Sequence, residues 1–222
     1  MAHIPRCLAK AAFTAGLLMA ASACVQRACA ETGSAEMEPA DLRDIRVGMP
    51  ASALQPRGYT GFGCVADPAV PLSGWDGYPA CPPDAAGRRE IAFHYGDTKD
   101  GATKVAGQPM TLSLVVGPSG AVQAIHMRTD PSARLFQHKR AYIFGLQVMA
   151  RYGEDGWACT QGHPSAAEQP VGGLFVQEHC EKIIGTRRLV IDRELHRAAD
   201  AAPAAFTSAS SFTVSLAKSD AS

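Results

Sequence analysis

The chain has 222 residues, with 21 Lys+Arg against 21 Asp+Glu, so its formal net charge is zero. That balance excludes the concentrated basic face of a nucleic-acid binder. It also supplies no electrostatic reason to sit on an anionic membrane.

Arg6 and Lys10 open the chain as a basic n-region. Ala11 to Ala23 is an apolar h-region too short to span a bilayer, and Ala28-Cys29-Ala30 is a small-x-small cleavage site. Residues 1–30 therefore read as a secretory signal peptide, and the mature chain should begin at Glu31. Its removal takes Arg6, Lys10 and Arg27 and no acid, leaving 18 bases against 21 acids, a net of −3. A second small-x-small site, Ala21-Ser22-Ala23, ends directly before Cys24 and resembles a bacterial lipoprotein box, with Ala21 where leucine is usual. On that alternative Cys24 is acylated and the product is a lipoprotein, not a periplasmic or secreted protein. No other apolar run approaches the length of a transmembrane segment.

Cleavage after Ala30 leaves Cys64, Cys81, Cys159 and Cys180. Four cysteines in an oxidising compartment read as two disulfides, with three pairings open. The local pairing, Cys64–Cys81 and Cys159–Cys180, closes two short loops. Zinc is disfavoured because there is no C-x-x-C pair and export discourages free thiolates.

Residues 31–40 are polar and read as a disordered linker. Asp41 to Leu54 mixes a short helix with Val47-Gly48-Met49-Pro50, where Pro50 suits a first helical turn. Tyr59 to Ala66, with Gly61 and Gly63, is an irregular strand, and Asp67 to Gly87 is a Pro/Gly/Asp loop. Glu90 to Tyr95 is a short strand. Thr111 to Val116 and Ala121 to Thr129 flank Gly117-Pro118-Ser119-Gly120 as a β-hairpin. The spacing then predicts one long helix from Asp130 to Tyr152, with Asp130 as cap and Pro131 in the first turn. Its stripe is Leu135, Tyr142, Leu146 and Met149, widened by Phe136, Ile143 and Ala150. Ala141 to Ala150 is apolar almost all round, so Tyr142, Ile143 and Leu146 are expected to be buried.

Glu154 to Gly172 is a loop. Leu174 to Glu181 and Thr186 to Leu195 are strands, residues 198–210 an Ala/Ser linker, and Ser211 to Ala217 a last strand. The expected architecture is a single α+β domain over 41–218. It is an antiparallel sheet with one long helix packed across a face, plus a short N-terminal helix.

Few residues suggest chemistry. Glu178-His179-Cys180-Glu181 contains a Cys–His pair, but neighbours on a strand point to opposite faces, so His179 cannot easily serve Cys180. His94, His126 and His179 lie on strands and could share a sheet face, yet no metal motif joins them. Gly58 to Gly63 lacks the dinucleotide spacing and reads as a loop or bulged strand. Arg187, Arg188 and Arg193 read as a solvated strand edge. Tyr59, Phe62, Trp75 and Tyr78 gather near the first cysteine pair and Trp157 near the second; they are packing aromatics or a partner-binding surface. No catalytic, cofactor or metal residue is assigned.

Ile45-x-Val47-Gly48-Met49, followed by a short helix and a glycine, resembles the opening of small exported bacterial modules. These are the outer-membrane assembly lipoproteins of the SmpA/OmlA type and the related β-lactamase-inhibitor-protein repeats. Pro50 stands where those modules have a small hydroxyl residue. The resemblance implies short helices on an antiparallel sheet and action by binding other proteins; no functional residue carries over. The chain is longer than one module, and a disulfide loop in each half would suit a degenerate duplication. The expected function is thus an exported, non-catalytic binding or envelope-associated protein whose partner is another envelope protein. The alternative is a small exported hydrolase or metal-dependent enzyme.

Overall fold

Leu112, Leu114 and Val116 alternate with Thr111, Ser113 and Val115, and that period of two sets the architecture. The computed structural model describes residues 40–96 and 103–217. Residues 1–30, read above as a signal peptide and including Cys24, lie outside the described residues, as do 31–39, 97–102 and 218–222.

The described residues form ten strands: β1 (Tyr59–Cys64), β2 (Arg89–Tyr95), β3 (Thr103–Val105), β4 (Gln108–Val116), β5 (Val122–Thr129), β6 (Ala158–Gln161), β7 (Glu168–Gln169), β8 (Val176–Ile184), β9 (Arg187–Ala198) and β10 (Thr207–Leu216). The sheet runs β1-β2-β4-β5-β10-β9-β8-β6, with β3 on β4 and β7 on β9. Every pairing is antiparallel.

The two halves follow one path. In each, helical turns precede an outer strand (β1 or β6). A loop closed by a disulfide follows, and three further strands then step inward to β5 or β10. β5 and β10 pair with each other at the centre, Met127 opposite Phe212. The disulfides repeat as well. Cys64 at the end of β1 joins Cys81, and Cys159 in β6 joins Cys180 in β8.

The expectation of an α+β fold built on one long helix is overturned. The molecule is mostly antiparallel sheet, and its helical stretch is short and broken. α1 spans Leu135–His138 and α2 spans Phe144–Tyr152, with a 3-10 turn at Ala141–Ile143 between them. Asp130 does not cap a helix. Its carboxylate accepts the Ser132 N–H at 2.8 Å and the Ser132 hydroxyl at 2.7 Å, closing a local turn that delays the helix to Leu135. Arg140, at φ −113° and ψ 14°, interrupts it again.

The N-terminal helix is also absent as drawn. Only a 3-10 turn, Ala51–Ala53, forms there. Pro50 is extended, and the Asp41 carboxylate takes the Val47 N–H at 2.9 Å, which ties this stretch into a loop. Strands missed in the sequence are β3, β6 and β7, which are short. β10 begins at Thr207, inside the stretch read as a linker.

One sheet face carries the core: Ile91, Phe93, Leu112, Leu114, Ile125, Met127, Phe212, Val214, Leu189 and Ile191 are all buried. Leu42, Ile45, Leu54 and Trp75 cover the first half of that face; Phe144 and Val148 of α2 join the same core from the second half. The helix docks through Ala141, Phe144, Gly145 and Val148, which are buried, while Leu146 is 45 % exposed. Tyr142 and Ile143 are half-buried. Gly145 decides this rotation. A Cβ there would stand 2.4 Å from Arg193 Cδ and 2.7 Å from Ile191 Cγ2, so only glycine lets the helix lie this close to β9.

Candidate functional site on the open face of the sheet

The aromatic residues near the first disulfide do not form a surface. Trp75 is 2 % exposed and meets Tyr59, Phe62 and Phe93 edge-on, with centroids 5.1, 4.7 and 4.9 Å away. Its indole N–H donates to the Gln55 carbonyl at 3.2 Å, and the Tyr59 hydroxyl donates to Asp44. Tyr59 is buried, and Phe62 and Tyr78 pack half-buried against the same core. Trp157 is half-buried, with its N–H on the Gly153 carbonyl at 2.8 Å and the Lys182 ammonium 5.6 Å from its ring. The partner-binding surface drawn from these five residues is therefore corrected: they are packing groups.

The basic edge is corrected too. Arg187 is buried, its Nε 3.0 Å from Asp41 Oδ1. Arg193 pairs with Glu178 at 2.5 Å, both nearly enclosed. Arg188 faces the other side of the sheet and pairs with Glu181. The stretch 58–63 is a bulged strand: register shifts between Thr60 and Gly63, and Gly61 takes φ 64° against the His94 ring.

Strand alternation sends Cys180 inward to its disulfide and His179 and Glu181 outward. Cys159, Glu178 and Cys180 lie close together, but both thiols are spent in that bond. His94, His126 and His179 do share the outward face, yet each has its own partners. His94 Nδ1 is 3.4 Å from the Thr103 hydroxyl. His126 Nδ1 is 2.8 Å from Glu90 Oε1, which also accepts the Ser113 hydroxyl. His179 Nδ1 is 2.7 Å from Asp192 Oδ1 and Nε2 is 3.0 Å from Glu181 Oε1. Asp192 Oδ2 accepts the Ser211 hydroxyl at 3.0 Å.

The order of groups matters. In both networks a carboxylate stands between serine and imidazole. An activated serine needs its hydroxyl on the imidazole, with the carboxylate behind. Here both serines donate to acids, so the networks anchor side chains across strands and do not prepare a nucleophile. Registers made these pairs, since Glu90 and His126 are far apart in the chain, and no sequence motif announces them.

The electrostatics follow. The bond from His126, before that from Ser113, holds the Glu90 carboxyl below its ordinary range against the opposing effect of burial. Hydrogen bonds to Asp192 first, and then to Glu181, raise the His179 imidazole above its ordinary 6.5. A raised folded-state value means that His179 contributes stability fully below 6.5. That contribution is lost as pH rises through the higher folded value. A proton NMR titration should place His179 above 6.5, and Asp192→Asn should bring it down; an unchanged midpoint in that variant would refute the assignment.

Beside these networks lies a groove of about 950 Å³ crossing the open face. Val115, Ala124 and Ser215, from one cross-strand row, keep its floor low. One wall is the loop at Pro82–Arg88, stiffened where Asp84 accepts the Arg88 backbone N–H at 2.8 Å and pairs with its guanidinium at 2.7 Å. The other wall holds Ile183 and Arg188. Val65, Ile183 and Leu216 border this groove as exposed apolar side chains, Ile183 being 67 % exposed. No helix among the described residues is long and apolar enough to cross a membrane.

No family model matches this chain, and neither a curated protein nor a solved structure matches it.

Proposed function

We propose that the protein is an exported, non-catalytic binding module that takes an envelope protein partner on the open face of its sheet. The groove is the observation that carries this reading. Its exposed Ile183, Val65 and Leu216 sit among Arg88 and Arg188, and apolar anchors with arginine at their side are what partner proteins bury. The resemblance of residues 45–49 to modules that act by binding other proteins agrees with it, as do the two disulfides of an oxidising compartment. The serine–carboxylate–histidine order speaks against the alternative of a hydrolase.

The test is site-specific crosslinking in envelope extract. A photoreactive side chain at Ser215 should capture a discrete partner, and Ile183→Asp should abolish the adduct. The same probe at Leu146, on the opposite layer, should not capture it. Equal capture from both positions would overturn the assignment of the face, and stoichiometric zinc or copper in the purified protein would favour the enzyme.

A further inference from the structure

The zero net charge of the chain hides a segregated patch. From Ala133 to Gly153 there is no acid, while Arg134, Lys139, Arg140 and Arg151 are present. All four are exposed. Arg134, Lys139 and Arg140 form no ion pair among the described residues. Between Arg134 and Arg140, Leu135 is 48 % and Phe136 63 % exposed, and Leu146 of α2 is 45 % exposed. None of the three belongs to the core: Phe144 and Val148 fill the inward face of α2 and leave Leu146 outside, while Leu135 and Phe136 stand on the separate turn α1.

We propose that the segment Arg134–Arg140 is a docking surface for an anionic phospholipid bilayer. Leu135 and Phe136 would enter the boundary between headgroups and acyl chains. Arg134, Lys139 and Arg140 would meet the phosphates, their flexible stems lying along the apolar surface. Charge complementarity chooses this occupant. Cations flank an exposed Leu-Phe pair in a stretch of chain without an acid, the pairing of forces that holds interfacial segments. A chain with a net of −3 after removal of the signal has no general attraction to such a surface, so binding must be local to this patch. The helical layer lies on the core side of the sheet and the groove on the other. A docked molecule therefore keeps its groove turned away from the lipid.

The experiment is co-sedimentation of the protein, purified as exported, with two kinds of vesicle. One is phosphatidylglycerol and phosphatidylcholine in equal parts, the other phosphatidylcholine alone. Binding is expected to the anionic vesicles only and to weaken with added salt. The double variant Lys139→Ala, Arg140→Ala should bind roughly thirtyfold more weakly, about fivefold for each cation. Phe136→Ser, at a solvent-facing position that folding does not need, should reduce binding strongly. Ile183→Ser in the groove should leave it unchanged, which keeps this result separate from partner binding. No sedimentation with anionic vesicles, equal sedimentation with both kinds, or full binding by Phe136→Ser would each overturn the proposal. An acyl anchor alone gives the second of these outcomes.

Discussion

Phe144→Ala should cost about 3–5 kcal/mol in a urea titration, whereas Leu146→Ala should cost under about 1 kcal/mol. The two residues are two positions apart on α2, and both are large and apolar. Phe144 is 2 % exposed and belongs to the core; Leu146 is 45 % exposed. Truncating Phe144 removes apolar burial and leaves a void where the helix meets the sheet. It would also widen the neighbouring cleft of about 570 Å³, which Phe144, Val148, Met127 and Phe212 line. Truncating Leu146 removes surface that water already reaches. Equal costs, or the reverse order, would mean that the helix is rotated about its axis relative to this docking through Gly145.

Asp41→Ala should also destabilise by about 3–5 kcal/mol, against under about 1 kcal/mol for Arg88→Ala. The Asp41 side chain is 1 % exposed and that of Arg187 7 %, with 3.0 Å between Oδ1 and Nε. The other Asp41 oxygen accepts the Val47 N–H at 2.9 Å. Removing the carboxylate takes an ionic partner from a buried guanidinium and an acceptor from a backbone donor together. It also removes a tie between the segment before β1 and the start of β9. Arg88 and Asp84 pair at 2.7 Å but are about half exposed, so solvent screens them. Thermal or chemical denaturation of the two variants checks this. A cost for Asp41→Ala no larger than for Arg88→Ala would show that the buried pair contributes nothing net.

How much could be read in advance differs from element to element. The hairpin of β4 and β5 was legible because Leu112, Leu114 and Val116 alternate and Gly117-Pro118-Ser119-Gly120 is a turn sequence. β6 was not legible. Its four exposed residues have no apolar alternation, and they are a strand only because Cys159 stands opposite Cys180 on β8. The helix failed differently. Ala141 to Ala150 is apolar almost all round, so the stripe through Tyr142, Leu146 and Met149 was only one of several candidate faces, and the structure buries Phe144 and Val148 instead.

The candidate site was hardly legible at all. Sequence could name His126, His179 and Glu181 on strands and Arg188 in a basic strand edge, but nothing in it singled out Ile183. It could not see that β5 and β10 pair and so place two half-sheets in one surface. Nor could it see that the aromatic residues it favoured would turn inward.

The sequence by itself determined which segments alternate, where glycine and proline turn the chain, and that four cysteines follow residue 30. Those properties are local, written in neighbouring residues. Tertiary structure alone decided the joining of the two halves at Met127 and Phe212, the inward rotation of Phe144, and the pairing of Glu90 with His126. Each of these depends on close approach between distant segments. Such approach is set by strand register and by which side chains, Gly145 above all, leave room for a neighbour.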